Sequence, residues 1–475
     1  MKPVIRLGQV PGDGFPATGH DGSGRCFATP AASPSPLPFE MPHPLLAPPV
    51  TLPRQKTHAI LVALGSSGDV HPFIGIGREL RRRGMRVTLV AAGWFREVAE
   101  KAGLEFVDPL PELDFVASIE DERIWDPLRG TPVILEIFVR PLLEPVYRVI
   151  ERALAADAAS GEATVVVASS LAFGARVAQE RLGVALVTAH LAPVLFRSLD
   201  DAPRVPGIFV HRGPPWFRTL QWALADRLLI DPIIGRWLNP FRASLGLPPA
   251  RGLLRDWIHS PQRTLGLFPD WFAAPQPQWP PQVRLTGFPL YSEEGVSDAD
   301  DPIKAWLEEG SPPILFTPGS AHLHGHEFFA AAADACHRLG RRGLLLTRFP
   351  DQIPKALPAG VRHAAFVPFR WLVPRSAALV HHGGIGTLSQ GLAGGVPQIV
   401  MPMGFDQFDN AARIERLGVG QALARKAFRG PALARLLGKL LADQAVANRC
   451  RAVADRFAGA DGIGAAADEV EAAGG

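Results

Sequence analysis

At 475 residues the chain exceeds what one hydrophobic core supports, so two domains are expected. Its 47% hydrophobic and 20% charged residues exclude a disordered or fibrous chain, and a net charge of only +3 excludes the basic footprint of a nucleic-acid binder. Cys26, Cys336 and Cys450 are odd in number and far apart, which excludes a disulfide scaffold and suits a reducing compartment.

Residues 1–55 are rich in Gly, Pro, Ser and Ala and read as a disordered leader, or as an upstream extension of the true start. They lack the basic and apolar regions of a signal peptide, and nowhere does an apolar run reach the roughly 18–20 residues that span a bilayer. The first strand is Ala59 to Leu64, a continuous apolar run of the kind buried on both faces of a parallel sheet. Gly65-Ser66-Ser67-Gly68-Asp69 turns the chain into an amphipathic helix over Pro72 to Arg83, and Val87 to Ala91 is the next strand. Val165 to Ala168 and Ala185 to Thr188 extend that sheet around a helix over Ala172 to Leu182. From about 192 to 282 the periodicity blurs into a Pro- and Trp-rich region. The polar, acidic stretch Ser292 to Asp301 suits a domain crossing. Strands then recur at Pro313 to Thr317, Gly343 to Thr347, Ala377 to Val380 and Gln398 to Met401. The fold class is therefore α/β, with two doubly wound parallel sheets and ligands in the cleft outside the strand carboxyl ends.

His381-His382-Gly383-Gly384-Ile385-Gly386-Thr387 follows a buried strand and opens a helix. Small residues let a phosphate approach the backbone, and the unpaired amides and dipole of the first helical turn hold its charge. Gly395-Val396-Pro397 and Met401-Pro402-Met403-Gly404-Phe405-Asp406-Gln407-Phe408-Asp409-Asn410 follow at fixed spacing. In this order HHGGIGT, GVPQ and DQFDN resemble the donor-binding signature of the family 1 glycosyltransferases with the GT-B fold. The resemblance runs from Ala59 to about Phe457 and takes in GSSGDVHPF at the first turn. LNPFRASLGLPP, HSPQ, LFPDWFAAPQPQWP and TGFPLY are similar in particular to the rhamnosyltransferases of rhamnolipid synthesis.

The resemblance implies two Rossmann-like domains facing across a cleft. An acceptor-binding domain at 56–290 and a nucleotide-sugar-binding domain at 291–457 lie between the leader, 1–55, and a C-terminal tail, 458–475. Carried over, the pattern places the diphosphate on the segment His381 to Thr387, with His382 and the backbone of Gly383, Gly384, Ile385, Gly386 and Thr387 as donors and Ser320 beside them. Asp406 and Gln407 would grip the sugar hydroxyls, as a carboxylate and an amide can pair with a vicinal diol. The base is expected against Phe366 to Trp371, including Val367, where Trp371 either stacks or belongs to the core. Gln390 stands where plant members carry a ribose-binding Glu, so uridine and deoxythymidine both stay open.

A general base belongs on the facing domain, since the acceptor hydroxyl loses its proton as it attacks. Asp69, at the first strand-to-helix turn, is either that base or a helix cap; His71 is the reserve candidate. Attack opposite the diphosphate implies inversion. No metal site is expected: His322, His324 and His326 read as a solvated loop, and Asp298-Ala299-Asp300 as surface. A dehydrogenase is excluded by a first turn that is not GxGxxG and by Ala91-Ala92-Gly93, which lacks an acid for the ribose. Seven tryptophans between Trp125 and Trp279 are either core or the lining of an apolar acceptor pocket.

The expected activity is an inverting, metal-independent hexosyl transfer to a lipidic or other hydrophobic acceptor, with dTDP-rhamnose favoured as donor and no cofactor besides the nucleotide sugar. The alternatives are a UDP-glucose-dependent transferase acting on a sterol-like or natural-product aglycone, and a non-catalytic partner that binds a sugar nucleotide. The expected location is the cytoplasm, with peripheral contact to the inner membrane face.

Overall fold

The computed structural model describes residues 57–113, 120–205, 210, 213–291 and 301–474. The expected leader, Cys26 and the Asp298-Ala299-Asp300 triplet lie outside the described residues.

Each strand expected from an apolar run is present, with ends displaced by no more than two residues. β1 (Thr57–Val62), β2 (Arg86–Val90), β3 (Glu105–Val107), β4 (Ala163–Ser169), β5 (Ala185–His190), β6 (Arg263–Gly266) and β7 (Val283–Leu285) form a parallel sheet in the order β3-β2-β1-β4-β5-β6-β7. A second parallel sheet has the order β10-β9-β8-β11-β12-β13, from β8 (Ile314–Thr317), β9 (Gly343–Leu346), β10 (Val361–Ala364), β11 (Ala378–His381), β12 (Gln398–Val400) and β13 (Gly420–Ala422). The strands that periodicity missed, β3, β6, β7, β10 and β13, are short and sit at or next to sheet edges. An edge strand is covered less and does not need an unbroken apolar run. The chain reverses its direction of winding between β1 and β4 and again between β8 and β11, and in such sheets a crevice opens at these points.

The helix expected from Pro72 begins earlier, at Ser67, and runs to Arg82. Asp69 in its first turn reaches back to Ser66, accepting from the backbone N at 2.7 Å and from Oγ at 3.0 Å, which fixes the start and leaves Pro72 inside the helix. Among its described residues the Pro- and Trp-rich region holds a long helical stretch, Pro215–Ala225 and Asp231–Ser244 joined by a π-helical turn over Asp226–Ile230, then a further turn over Leu253–Trp257 and the strand β6. Its aromatics Phe196, Phe268, Phe272 and Trp279 pack in one apolar cluster with Ile314, Phe316 and Val380 of the second sheet. Burial of this size stabilises each half against the other.

The last residues, expected as a tail, contain the helix Gly462–Gly474. It returns to the first half, where Ala466, Ala467 and Val470 join the core under Ala59, Leu61 and Val165. Arg83 bonds Asp468 at 2.5 Å and Glu471 at 2.8 Å, so one member of the Arg81-Arg82-Arg83 run anchors this helix. Among the described residues no helix is long and apolar enough to cross a membrane.

Candidate active site

Both winding reversals present loops from adjacent strand ends. On the first sheet, β1 leads into Gly65 to Asp69 and β4 ends at Ser169, whose Oγ accepts from Leu64 N at 3.2 Å. On the second, β8 leads into Thr317-Pro318-Gly319-Ser320 and β11 into His382 to Gly384, ahead of the helix Ile385–Ala393. The two loops meet: a methyl at Gly386 would lie 3.7 Å from the Gly68 Cα. Two helix N-termini therefore abut across the cleft, each without a side chain at the point of contact.

Asp69 is half-buried on the first side of this contact. Both Ser66 bonds fall on Oδ2, and Oδ1 accepts none among the described residues. Burial raises its pKa above the ordinary carboxylate value, against the lowering pull of the Ser66 donors. Asp69 is therefore a helix-start residue through one oxygen and available for chemistry through the other. Gly65 makes room for it, with φ +134° and a would-be Cβ 2.3 Å from Oδ2. Gly65→Ala is expected to cost roughly 1–3 kcal/mol of backbone strain and lower the melting temperature by several degrees, read in a thermal melt. An unchanged melting temperature would mean that this turn tolerates a side chain. His71 packs edge-on to Tyr291, with ring centroids 5.7 Å apart. Burial and the Arg348 charge push its pKa down to about 4, so it is a neutral imidazole near pH 7.

On the facing side, His382 lies between the two glycine loops. A Cβ at Gly319 would come within 2.7 Å of its ring and one at Gly384 within 2.5 Å. Its Nδ1 is buried without a protein partner, and burial with the neighbouring His381 pushes its pKa down to about 3. Ser320 is exposed at the same rim. His381, grouped with the diphosphate contacts from sequence, is placed differently. It is fully buried, with Nδ1 accepting from Gly383 N at 3.1 Å and Nε2 against Gln398 Oε1 at 2.9 Å. Both ring nitrogens are spent on shaping the loop. Gly383 (φ +99°) is buried, while Gly384, Gly386 and Thr387 are partly open and Ile385 turns its side chain into the core.

The DQFDN segment follows β12. Phe405 has φ 54°, the one non-glycine in the left-handed region among the described residues, and such strain clusters at ligand sites. Asp406 Oδ2 accepts from Asn410 Nδ2 at 2.7 Å, and the same amide donates to Gly383 O at 2.9 Å, joining this segment to the glycine loop. Burial raises the Asp406 pKa to about 7, with the Asp69 charge across the cleft adding to the rise. Gln407 Oε1 accepts from Met403 N (2.8 Å) and Gly404 N (3.2 Å), so only its Nε2 is left for a ligand. Asp409 is committed to the domain contact. It pairs with Arg413 (2.7 Å) and accepts from Arg204 N (2.9 Å), and Arg413 also reaches Asp201 (2.8 Å).

Around the expected base position, Phe366 is exposed with the Arg348 guanidinium 5.4 Å from its ring centroid. Val367 is core, and Trp371 packs against that core beneath Arg375, which leaves Phe366 as the open aromatic face. Gln390 Nε2 donates to Tyr291 O at 3.4 Å, across the cleft. His322 corrects the solvated-loop expectation. It is buried edge-on to Trp125 of the first half at 5.1 Å, because a contact distant in sequence covers it. Among the described residues, no group of three His, Cys, Asp or Glu side chains converges as metal ligands. Asn410 and Arg348 went unmarked as site residues, although Asn410 closes the DQFDN motif.

A carboxylate at one switch point thus stands across the cleft from a glycine-rich helix start and a second carboxylate at the other. Residues 59–199 match the model of the glycosyltransferase family 28 N-terminal domain, and residues 349–462 that of the erythromycin biosynthesis protein CIII-like C-terminal domain. An uncharacterized glycosyltransferase of Mycobacterium leprae is 30% identical over 436 residues, 86% of this chain and 96% of that protein. The O-mycaminosyltylonolide 6-deoxyallosyltransferase of Streptomyces fradiae is 29% identical over 445 residues, 85% and 94% of the two chains. The solved spinosyn rhamnosyltransferase SpnG, complexed with thymidine diphosphate, superposes with a TM-score of 0.60 at 18% identity, covering 87% of this chain and 100% of that one. The chain belongs to the GT-B glycosyltransferases of the family 1 type, which transfer sugars from nucleotide sugars.

Proposed function

We propose that the chain transfers a hexose of the 6-deoxy class, with dTDP-rhamnose the favoured donor, to a hydroxyl of a hydrophobic acceptor. What carries this is the approach of the Asp69 turn to the glycine loop, with Gly68 against Gly386 and Asp406 near enough for the Asp69 charge to raise its pKa. The diphosphate would lie on the helix N-terminus at Gly384 to Thr387, with His382 and Ser320 as further donors. Asp406 and the Gln407 Nε2 would hold the sugar hydroxyls, and Phe366 would stack on the base. Asp69 takes the acceptor proton, and the acceptor oxygen bonds to the anomeric carbon from the face opposite the diphosphate. As that bond forms the bond to the diphosphate breaks, its electron pair passes to the phosphate oxygen, and the configuration inverts. The helix N-terminus and His382 stabilise the departing charge, a route that asks for no metal. The 6-deoxy sugar and the thymidine nucleotide are supported by what the Streptomyces fradiae relative and SpnG handle. Free thiols at Cys336 and Cys450 suit the cytoplasm.

Thermal-shift binding of dTDP-rhamnose, UDP-glucose, dTDP and UDP tests the donor, because a ligand of the folded state raises its melting temperature. The largest rise is expected with dTDP-rhamnose. A larger rise with UDP-glucose would overturn the donor, and no rise with any of the four would leave a partner protein without a donor site.

A further inference from the structure

The helix Pro215–Ala225 and the π-helical turn after it carry an apolar row on the solvent side. Trp216 is 67% exposed, Leu220 48%, Leu224 47%, Leu228 63% and Leu229 51%. The first four follow one another at intervals of four residues, the spacing of one helix face, and the row extends about 18 Å. Between these side chains only Thr219, Ala223 and Arg227 share the exposed face. The only acid between Gly213 and Ile230, Asp226, is turned inward and pairs with Arg197 at 2.5 Å. Arg197 also lies 3.8 Å from the Trp222 ring centroid, which fixes the inner face. Upstream of the helix, residues 201–204 lie beside the cleft: Arg204 bonds Asp409, and Asp201 bonds Arg413 and Arg416.

We infer that this row is a docking surface for an anionic lipid bilayer, lying flat in the headgroup region beside the cleft mouth. Charge and area decide between occupants. The exposed face bears a cation and no carboxylate, which matches an anionic surface, and a tryptophan at its end suits the boundary between headgroups and acyl chains. The five side chains expose roughly 500 Å², well short of the roughly 800 Å² per partner that a stable protein interface buries. A narrow apolar strip can instead sink into a bilayer with no complementary shape opposite. This goes beyond the transferase assignment and stands on the helix alone.

The test is flotation of the full chain with vesicles of phosphatidylcholine alone, or with about one third phosphatidylglycerol, at low and high salt. Binding to the anionic vesicles, weakened by salt, is expected. Leu220→Glu with Leu224→Glu should lower vesicle binding at least tenfold while leaving the melting temperature and the shift with sugar nucleotides unchanged. Light scattering runs alongside. No flotation of the parent chain, or flotation equal in the variant, overturns the proposal, as does a dimer that the double substitution converts to a monomer. Because the sugar-nucleotide shift is read on the same samples, failure of docking and failure of the transferase assignment are told apart.

Discussion

Asp69→Asn is expected to lower the rate of sugar transfer by about 10³-fold, the middle of the range that a positioned general base contributes, while donor affinity stays within a few fold. The amide keeps the shape of the side chain and can still accept from Ser66, so the helix start survives and the melting temperature should move little. What it loses is the capacity to take a proton. The pH profile is a second readout. Since burial raises the Asp69 pKa, the parent rate should climb as the pH rises through that raised value and level off above it. That rise should vanish in the variant. A variant retaining more than a tenth of the parent rate would remove Asp69 as base and transfer the question to His71.

Asp406→Asn is expected to move stability and function in opposite directions. The carboxyl has a pKa of about 7 folded, against an ordinary value of 3.8, so between these values the folded chain holds a proton that the unfolded chain has released. Folding stability from this group is therefore present below about pH 4, declines as the pH rises toward 7, and stays lost above. The amide carries no such penalty. The variant should melt a few degrees above the parent at pH 8 and show little or no gain at pH 4, read by parallel melts. Sugar-nucleotide affinity should fall well over tenfold, with dTDP affinity much less affected. Equal losses for both ligands would remove the sugar-holding role. A melting temperature below the parent's at pH 8 would show that the Asn410 bond outweighs the buried charge.

The interior strands and the glycine loop after β11 were legible because each is local. β1, β4, β8 and β11 are buried on both faces and cannot contain polar residues without cost, and HHGGIGT needs its glycines at the point of backbone approach. What was not legible depends on residues far apart in the chain. His322 is buried by Trp125, which lies almost two hundred residues earlier, and nothing in its own neighbourhood marks it as interior. His381 and His382 are adjacent and chemically identical, yet one ring faces Gln398 in the core and the other lies between two glycine loops; strand alternation separates them once the strand end is known. Val367 and Phe366 divide between core and rim in the same way. The early start of the first helix was signalled by Ser66 and Asp69, a capping pair that Pro72 masked.

The return of the last helix to the first sheet bears on how the molecule can be recombined. The half built on the second sheet is an insertion into the half built on the first, whose described part begins at Thr57 and takes in Gly462–Gly474. A hybrid enzyme that borrows a relative's second-sheet half should therefore be joined at two seams, one before the helix Asp301–Glu308 and one between Phe457 and Gly462. A single-seam exchange would supply a foreign helix to the surface that Arg83 and the β1 core have evolved to receive.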